Sequence, residues 1–314
     1  VSIHVCSQFA PMETVSFNSR TVFLHGESHD QLRAATRARC IAVNPSRRYA
    51  ASPMALKNHA GPRTEHAFSI IKQERRSVVA KAKAKEFFGV PDQVAQTYDQ
   101  LQNGSDIRGV ALAGVAGEPV TISSKEAFFI ATGFAEWLVK EKGSTGKRLR
   151  VSIGRDPRLS GKGIVAAIVA GMTSMGVETV DMGLATTPAC FMSTITEGHE
   201  YDGSMMCTAS HLPWNRNGVK FFTSAGGLKK PDIKFILEAA ALNSVKRQKN
   251  DYSQNDSMLK KIDFLPVYSA GLREMIKKGV NHPEHYDTPL RGIKIVVDAG
   301  NGSGGVFAPP VLEP

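Results

Sequence analysis

"LRVSIGRDPRLSGKGIVAAIVAGMTSMGVETVDMG" (residues 149–183) sets the fold class. Val151 and Ile153 alternate with polar neighbours, which is the period of a strand that turns both residues to one face. Gly154, Arg155, Asp156 and Pro157 then break the chain into a turn. Ile164, Ile168, Met172 and Met175 recur at helical spacing, and Val177 to Met182 reads again as a strand. Strand, helix and strand in that order make a βαβ unit, whose strands run parallel with a right-handed crossover.

On the N-terminal side, "ISSKEAFFIATGFAEWLVKEKG" (122–143) predicts a helix. Ser123 and Glu126 form a capping box, Ala127, Ala131, Phe134 and Leu138 share a face, and Lys140, Lys142 and Gly143 mark the end. Before it, "LQNGSDIRGVALAG" (101–114) opens the ordered part after a junction at about residues 86–100. On the C-terminal side, "TTPACFMSTI" (186–195) reads as a helix after Pro188, and "DGSMMCTAS" (202–210) as a strand that delivers Ser210 at its carboxyl end. Open α/β sheets bind ligands at that end. "GVKFF" (218–222) is the next strand, "KPDIKFILEAAALN" (230–243) a helix, and the polar stretch 244–260 a surface insertion or linker. A helix over "FLPVYSAGLREMIKKGV" (264–280) precedes "IKIVVDAGNGSGG" (293–305), read as a buried strand and a glycine-rich turn that begin a second α/β domain.

The expected architecture is therefore α/β, a mixed, mostly parallel sheet with helices on both faces over residues 100–285. The first strand of a second such domain follows at 290–314, and a disordered basic leader with its junction occupies 1–95. Charge supports that division. Residues 1–85 hold 14 Lys and Arg against 5 Asp and Glu, whereas the remainder holds 25 against 24, so all but one unit of the net charge of +10 belongs to the leader. Its Arg, Ala, Ser and Lys content, without a sustained apolar period, is that of an organelle transit peptide. No arginine-rich amphipathic helix stands out, which favours the plastid stroma over the mitochondrion, with the cytoplasm as the alternative address. Basic residues are not interleaved with aromatics, so no nucleic-acid partner is expected. No apolar run approaches the roughly 18 residues that would span a bilayer, so no membrane partner is expected either. Cys6, Cys40, Cys190 and Cys207 are too scattered for a metal cluster and fit a reducing compartment. His199, His282 and His285 lack metal-ligand spacing.

The chemistry concentrates in "TASHLPWNRNGVK" (208–220). Ser210 beside His211 suggests nucleophile and base, but a hydrolase elbow wants glycine two residues to either side of the serine, where Thr208 and Leu212 stand. The second half of the stretch speaks for phosphate. Asn215, Asn217 and Gly218 suit a tight turn with a free amide, and Lys220 adds a cation. Phosphoryl transfer needs mainly positioning and positive charge. Gly300, Gly302 and Gly305 also satisfy Gly-x-Gly-x-x-Gly after a strand, a weak dinucleotide signal.

The motifs "TASHLPWNRNGVKFF", "NGSDIRG", "GRDPRLSG" and "IVVDAGNGSGG" occur in the order found in the α-D-phosphohexomutase family, which the chain resembles over about residues 100–314. The family includes phosphoglucomutases, phosphomannomutases and phosphoglucosamine mutases. The resemblance implies intramolecular phosphotransfer on hexose phosphates, with Ser210 as phosphocarrier and one Mg²⁺ ligand. Lys220 and Arg108 would transfer protons and stabilise charge, and His211 would shape the loop. Thr208, Asn217 and Arg155 would lie beside the phosphate, with Asp156 and Arg158 bracing the loop. It also implies Mg²⁺ and a hexose bisphosphate activator, and leaves open which sugar is used and the oligomeric state. Leu212 replaces the family's usual asparagine, and the Asp-Gly-Asp-Gly-Asp-Arg run that supplies the family's metal aspartates is absent from these 314 residues, as are the sugar-reading and phosphate-clamping loops. The chain is thus expected to be an N-terminal piece, inactive alone. The alternative is a non-catalytic phosphate- or dinucleotide-binding α/β protein.

Overall fold

A computed structural model describes residues 3–5, 89–143, 147–247 and 256–313. The rest of the basic leader, including its proposed targeting function, lies outside the described residues. The strands are β1 (Ile3–Val5), β2 (Gln102–Asn103), β3 (Asp106–Val110), β4 (Arg150–Arg155), β5 (Glu178–Leu184), β6 (Gly203–Cys207), β7 (Arg216–Thr223), β8 (Gly226–Gly227), β9 (Leu259–Lys261) and β10 (Ile295–Val297). The helices are α1 (Asp92–Asp99), α2 (Ser124–Lys142), α3 (Gly161–Ser174), α4 (Thr187–Met192), α5 (Lys230–Lys246), α6 (Leu265–Val280) and α7 (Gly304–Leu312).

Eight strands form the main sheet in the order β2-β3-β7-β6-β4-β5-β9, with β8 paired to β7. β6, β4, β5 and β9 are mutually parallel, and β7 runs against both β6 and β3. Six strands, β3 and β8 included, therefore share one direction. The sheet is mixed and mostly parallel, as its sequence pattern implied.

Alternation along the strands sorts side chains between two cores. Val151, Ile153, Met205, Cys207, Val219 and Phe221 join the larger one, under α1, α2, α3 and α5. Met182, Met206 and the partly buried Phe222 point to the other face, where Ala189 and Cys190 of α4, Phe264 and Phe307 of α7 cover them. Helix α2 has the expected capping box, but it is buried on nearly every side, because α3 and α5 flank it. Gly133 and Gly171 permit this closeness: a Cβ on either would stand 2.3 Å from a carbonyl oxygen of the adjacent helix.

Several boundaries differ from the sequence reading. The junction contains α1, whose Ala95 and Tyr98 are buried in the larger core. Its polar composition hides a helix stabilised by tertiary packing. Met175, placed on the apolar face of α3, is the residue that ends that helix and is 41% exposed. The polar stretch 244–260 is not all linker: its first residues finish α5, and Leu259–Lys261 adds edge strand β9 beside β5. β10, read as buried, has Val296 73% exposed, since among the described residues it pairs only with β1.

Candidate functional site

Ser210 lies in the loop from β6 to β7, and its φ of 58° puts a residue with a Cβ in the left-handed region. Such a conformation costs about 1–2 kcal/mol and persists where surrounding contacts over-determine it. Those contacts are present. The Ser210 amide donates to Thr208 Oγ1 at 2.9 Å, and the Thr208 hydroxyl donates to Asp156 Oδ2 at 2.7 Å. Arg158 donates from Nη2 to the carbonyls of Ser210 (2.9 Å) and Leu212 (2.7 Å), and from Nη1 to those of Pro213 (2.6 Å) and Arg216 (3.0 Å). Its Nε donates to Asp156 Oδ2 at 3.2 Å. A guanidinium has five N–H groups, and all five are committed here.

Arg108 is placed differently. Nη1 donates to the carbonyl of Ala209 at 2.6 Å and Nη2 to Asp106 Oδ2 at 2.9 Å, while Nε is buried without a partner. The same Asp106 oxygen accepts from Lys220 Nζ at 2.5 Å. Strand register explains the meeting. β3 and β7 pair antiparallel with Arg108 opposite Gly218 and Ile107 opposite Val219, so Asp106 faces Lys220. Residues 106 and 108 share a face by the two-residue period, and Lys220 stands opposite Met206 on β6. All three charged side chains thus lie on the sheet face away from the larger core. Gly218 leaves the space that Arg108 crosses: a Cβ there would be 3.1 Å from Arg108 Cγ and 2.1 Å from the Ile107 carbonyl oxygen.

Among the other residues singled out, His211 is exposed, and its Nδ1 is 3.4 Å from Ser210 Oγ, a long contact for a hydrogen bond. Thr208 and Asn217 are buried and turned inward. The Asn217 amide donates to Ser160 Oγ at 2.8 Å, and its oxygen accepts from the Gly218 amide at 2.8 Å. Both side chains are thus engaged by the protein itself. The tight turn assigned to Asn215, Asn217 and Gly218 is corrected, because β7 already begins at Arg216 and the Gly218 amide is engaged. Arg155 is half-buried and makes one long contact, Nη1 to the Asp156 carbonyl at 3.4 Å, which leaves most of its donors available.

Sequence reasoning missed Asp106 as the group joining Arg108 to Lys220. Its signal is the i, i+2 spacing within "DIRG" on a strand. It also missed Glu118, which accepts from Asn215 Nδ2 at 2.7 Å and pairs with Arg216 at 2.7 Å at the base of the loop. The Asn215 hydrogen bond, reinforced by Arg216, holds the Glu118 carboxyl below its ordinary value. Cys190 and Cys207 are buried, and desolvation pushes both thiols up to about 12, so neither is a nucleophile at neutral pH.

No group of three or more His, Cys, Asp or Glu among the described residues is placed to hold a metal ion. Asp106, Asp156 and Glu118, the carboxylates around the serine loop, are already paired with cations. The residues present therefore do not make a Mg²⁺ site by themselves.

The site thus combines an exposed serine on a braced loop with an arginine that keeps spare donors and a lysine paired to the same carboxylate. Residues 99–248 match the family model described as phosphoglucomutase/phosphomannomutase, alpha/beta/alpha domain I. This segment belongs to the α-D-phosphohexomutase family. The phosphohexomutase domain contains the Ser210 loop, the Asp156 turn and the Arg108 strand in one continuous match. A phosphoglucosamine mutase of Corynebacterium glutamicum is 34% identical over 211 residues, covering 64% of this chain and 42% of that protein. One from Corynebacterium aurimucosum is 37% identical over 180 residues, covering 57% and 37%. A solved phosphoglucomutase/phosphomannomutase family protein from Burkholderia thailandensis aligns at 23% identity and TM-score 0.42, covering 54% of this chain and 34% of that one. The chain spans about two fifths of the length of the curated phosphohexomutases it matches. No described helix is long and apolar enough to cross a membrane.

Proposed function

We propose that this chain is the phosphoserine-bearing part of a mutase that interconverts hexose 1- and 6-phosphates, with Ser210 as the carrier. One observation carries the reading: an exposed serine held in a left-handed conformation, next to an arginine with uncommitted donors and a lysine that shares its carboxylate. Phosphoserine gives its phosphoryl group to a sugar hydroxyl. The new sugar O–P bond forms, the Ser210 Oγ–P bond breaks, and the hydroxyl proton ends on Oγ. The second half-reaction returns the other phosphoryl group to Ser210 by the reverse bookkeeping. Arg108 and Lys220 supply charge for the transferring group, and Lys220 also carries protons.

The relatives are named phosphoglucosamine mutase, which makes glucosamine phosphate the first substrate to try. The family's use of Mg²⁺ would draw from this chain one phosphoserine oxygen, and a hexose bisphosphate would restore the phosphoserine. Residues 1–314 alone are expected to be inactive, and turnover by that piece with Mg²⁺ and a sugar bisphosphate would overturn this part. Ser210→Ala in the full-length protein should abolish turnover and the phosphoryl mass increment, and unchanged turnover would end the carrier role. The basic leader adds a proposed plastid address, and a cytoplasmic signal from a leader fused to a fluorescent protein would refute it.

A further inference from the structure

Asp106 is given no chemical step in the reading above, yet among the described residues it touches both cations of the site. Arg108 Nη2 and Lys220 Nζ converge on the same oxygen, Oδ2, at 2.9 and 2.5 Å. All three side chains are mostly buried, with exposures of 13% for Arg108, 16% for Asp106 and 22% for Lys220, so the pairing is only weakly screened by solvent. The geometry is also costly to replace, since Asp106 and Lys220 are 114 residues apart and meet only through the β3–β7 register.

From this we infer that Asp106 is a positioning residue for phosphoryl transfer. It holds Lys220 and Arg108 at a fixed spacing beside Ser210 and keeps the cluster at one net positive charge rather than two. The inference rests on the phosphoserine reading. Two physical consequences oppose each other and make the role separable from mere support. Without the carboxylate, the two cations repel and drift, so the transferring group meets them misplaced. Displacement on the order of 1 Å at a reacting centre costs roughly 100-fold in rate. Removing a negative charge from a cluster that receives a phosphate also strengthens the attraction for the anion. The buried, unpartnered Nε of Arg108 sharpens the point, because a donor left unpaired in this cluster favours an anionic ligand.

The test uses the full-length protein, dephosphorylated, with glucose 1,6-bisphosphate and Mg²⁺. Phosphoryl gain on Ser210 is followed by intact mass against bisphosphate concentration. Asp106→Asn is expected to lower the maximal rate by roughly 100-fold and to lower, not raise, the half-saturating concentration. Asp106→Glu, which keeps the charge but moves it, is expected to slow transfer without tightening binding. It is the readout if the asparagine variant does not fold, as judged by circular dichroism. An unchanged rate in a folded variant overturns the inference and leaves the phosphoserine reading standing. A slower rate with weaker binding in Asp106→Asn also overturns it, since that is what loss of support would give. If the unaltered protein takes no phosphoryl group, the phosphoserine reading fails and this inference falls with it.

Discussion

Two arginines flank the Ser210 loop, and their difference shows how the same side chain is assigned to architecture or to chemistry. Arg158 spends every N–H on the protein, four of its bonds reaching carbonyls of residues 210, 212, 213 and 216. Arg108 spends two, one on the Ala209 carbonyl and one on Asp106. Both are equally shielded, each with 13% of its side chain exposed. Neither burial nor charge therefore separates them, and the number of donors left over does. A saturated guanidinium has nothing to offer an incoming phosphate, whereas an unsaturated one does.

Substitutions at the two positions should come apart in opposite ways. Arg108→Met is expected to reduce turnover of the full-length protein by roughly 100- to 1,000-fold, the usual loss when one transition-state donor is removed. Its melting temperature should change little, because Asp106 keeps Lys220. Comparable loss of stability would erase the distinction. Arg158→Met strands Asp156 and four loop carbonyls, so it should cost about 3 kcal/mol of stability in denaturant unfolding. Protease cleavage within 208–216 should rise with it, and an unaltered unfolding midpoint would remove the bracing role. Gly218→Ala tests the ground between them. Its Cβ collides with the Ile107 carbonyl and crowds Arg108, so a loss of about 2 kcal/mol should accompany a fall in activity.

The smallest effect belongs to Glu118. Its folded-state carboxyl is held low by Asn215 and then Arg216, so the stability it contributes is present above the ordinary value of 4.5 and is lost as pH falls through the lower folded value. Glu118→Gln should lower the neutral plateau of a stability-versus-pH curve slightly and flatten its acid limb below about pH 4.5, because the stability lost on acidification is already missing. An unchanged acid limb would show that this pairing is not felt by the folded state.

Much of the scaffold was legible before any coordinates. The Ser123–Glu126 capping box, the alternation of Val151 and Ile153, and the glycine after Lys142 are local signals, and β4, α2 and β6 formed where they pointed. What misled was chemistry judged without register. Asn217 read as part of a tight turn, but a strand begins one residue before it and turns its side chain toward Ser160. α1 and β9 were hidden for a related reason, because polar segments gain their structure from an apolar partner that the local sequence does not display.

By itself the sequence determined the βαβ alternation, the position of Ser210 at the carboxyl end of a strand, and the identity of the charged groups around it. These follow from periodicities of two and 3.6 residues and from turn chemistry, which act over a few residues. Only the tertiary structure decided which charges meet. Asp106 reaches Lys220 because β3 and β7 pair antiparallel in one register, and a slip of one residue would turn it to the opposite face. Arg158 is saturated because two loops from β4 and β6, adjacent parallel strands, end side by side. Hydrogen-bond saturation is a property of neighbours in space, and a chain read one residue at a time does not contain it.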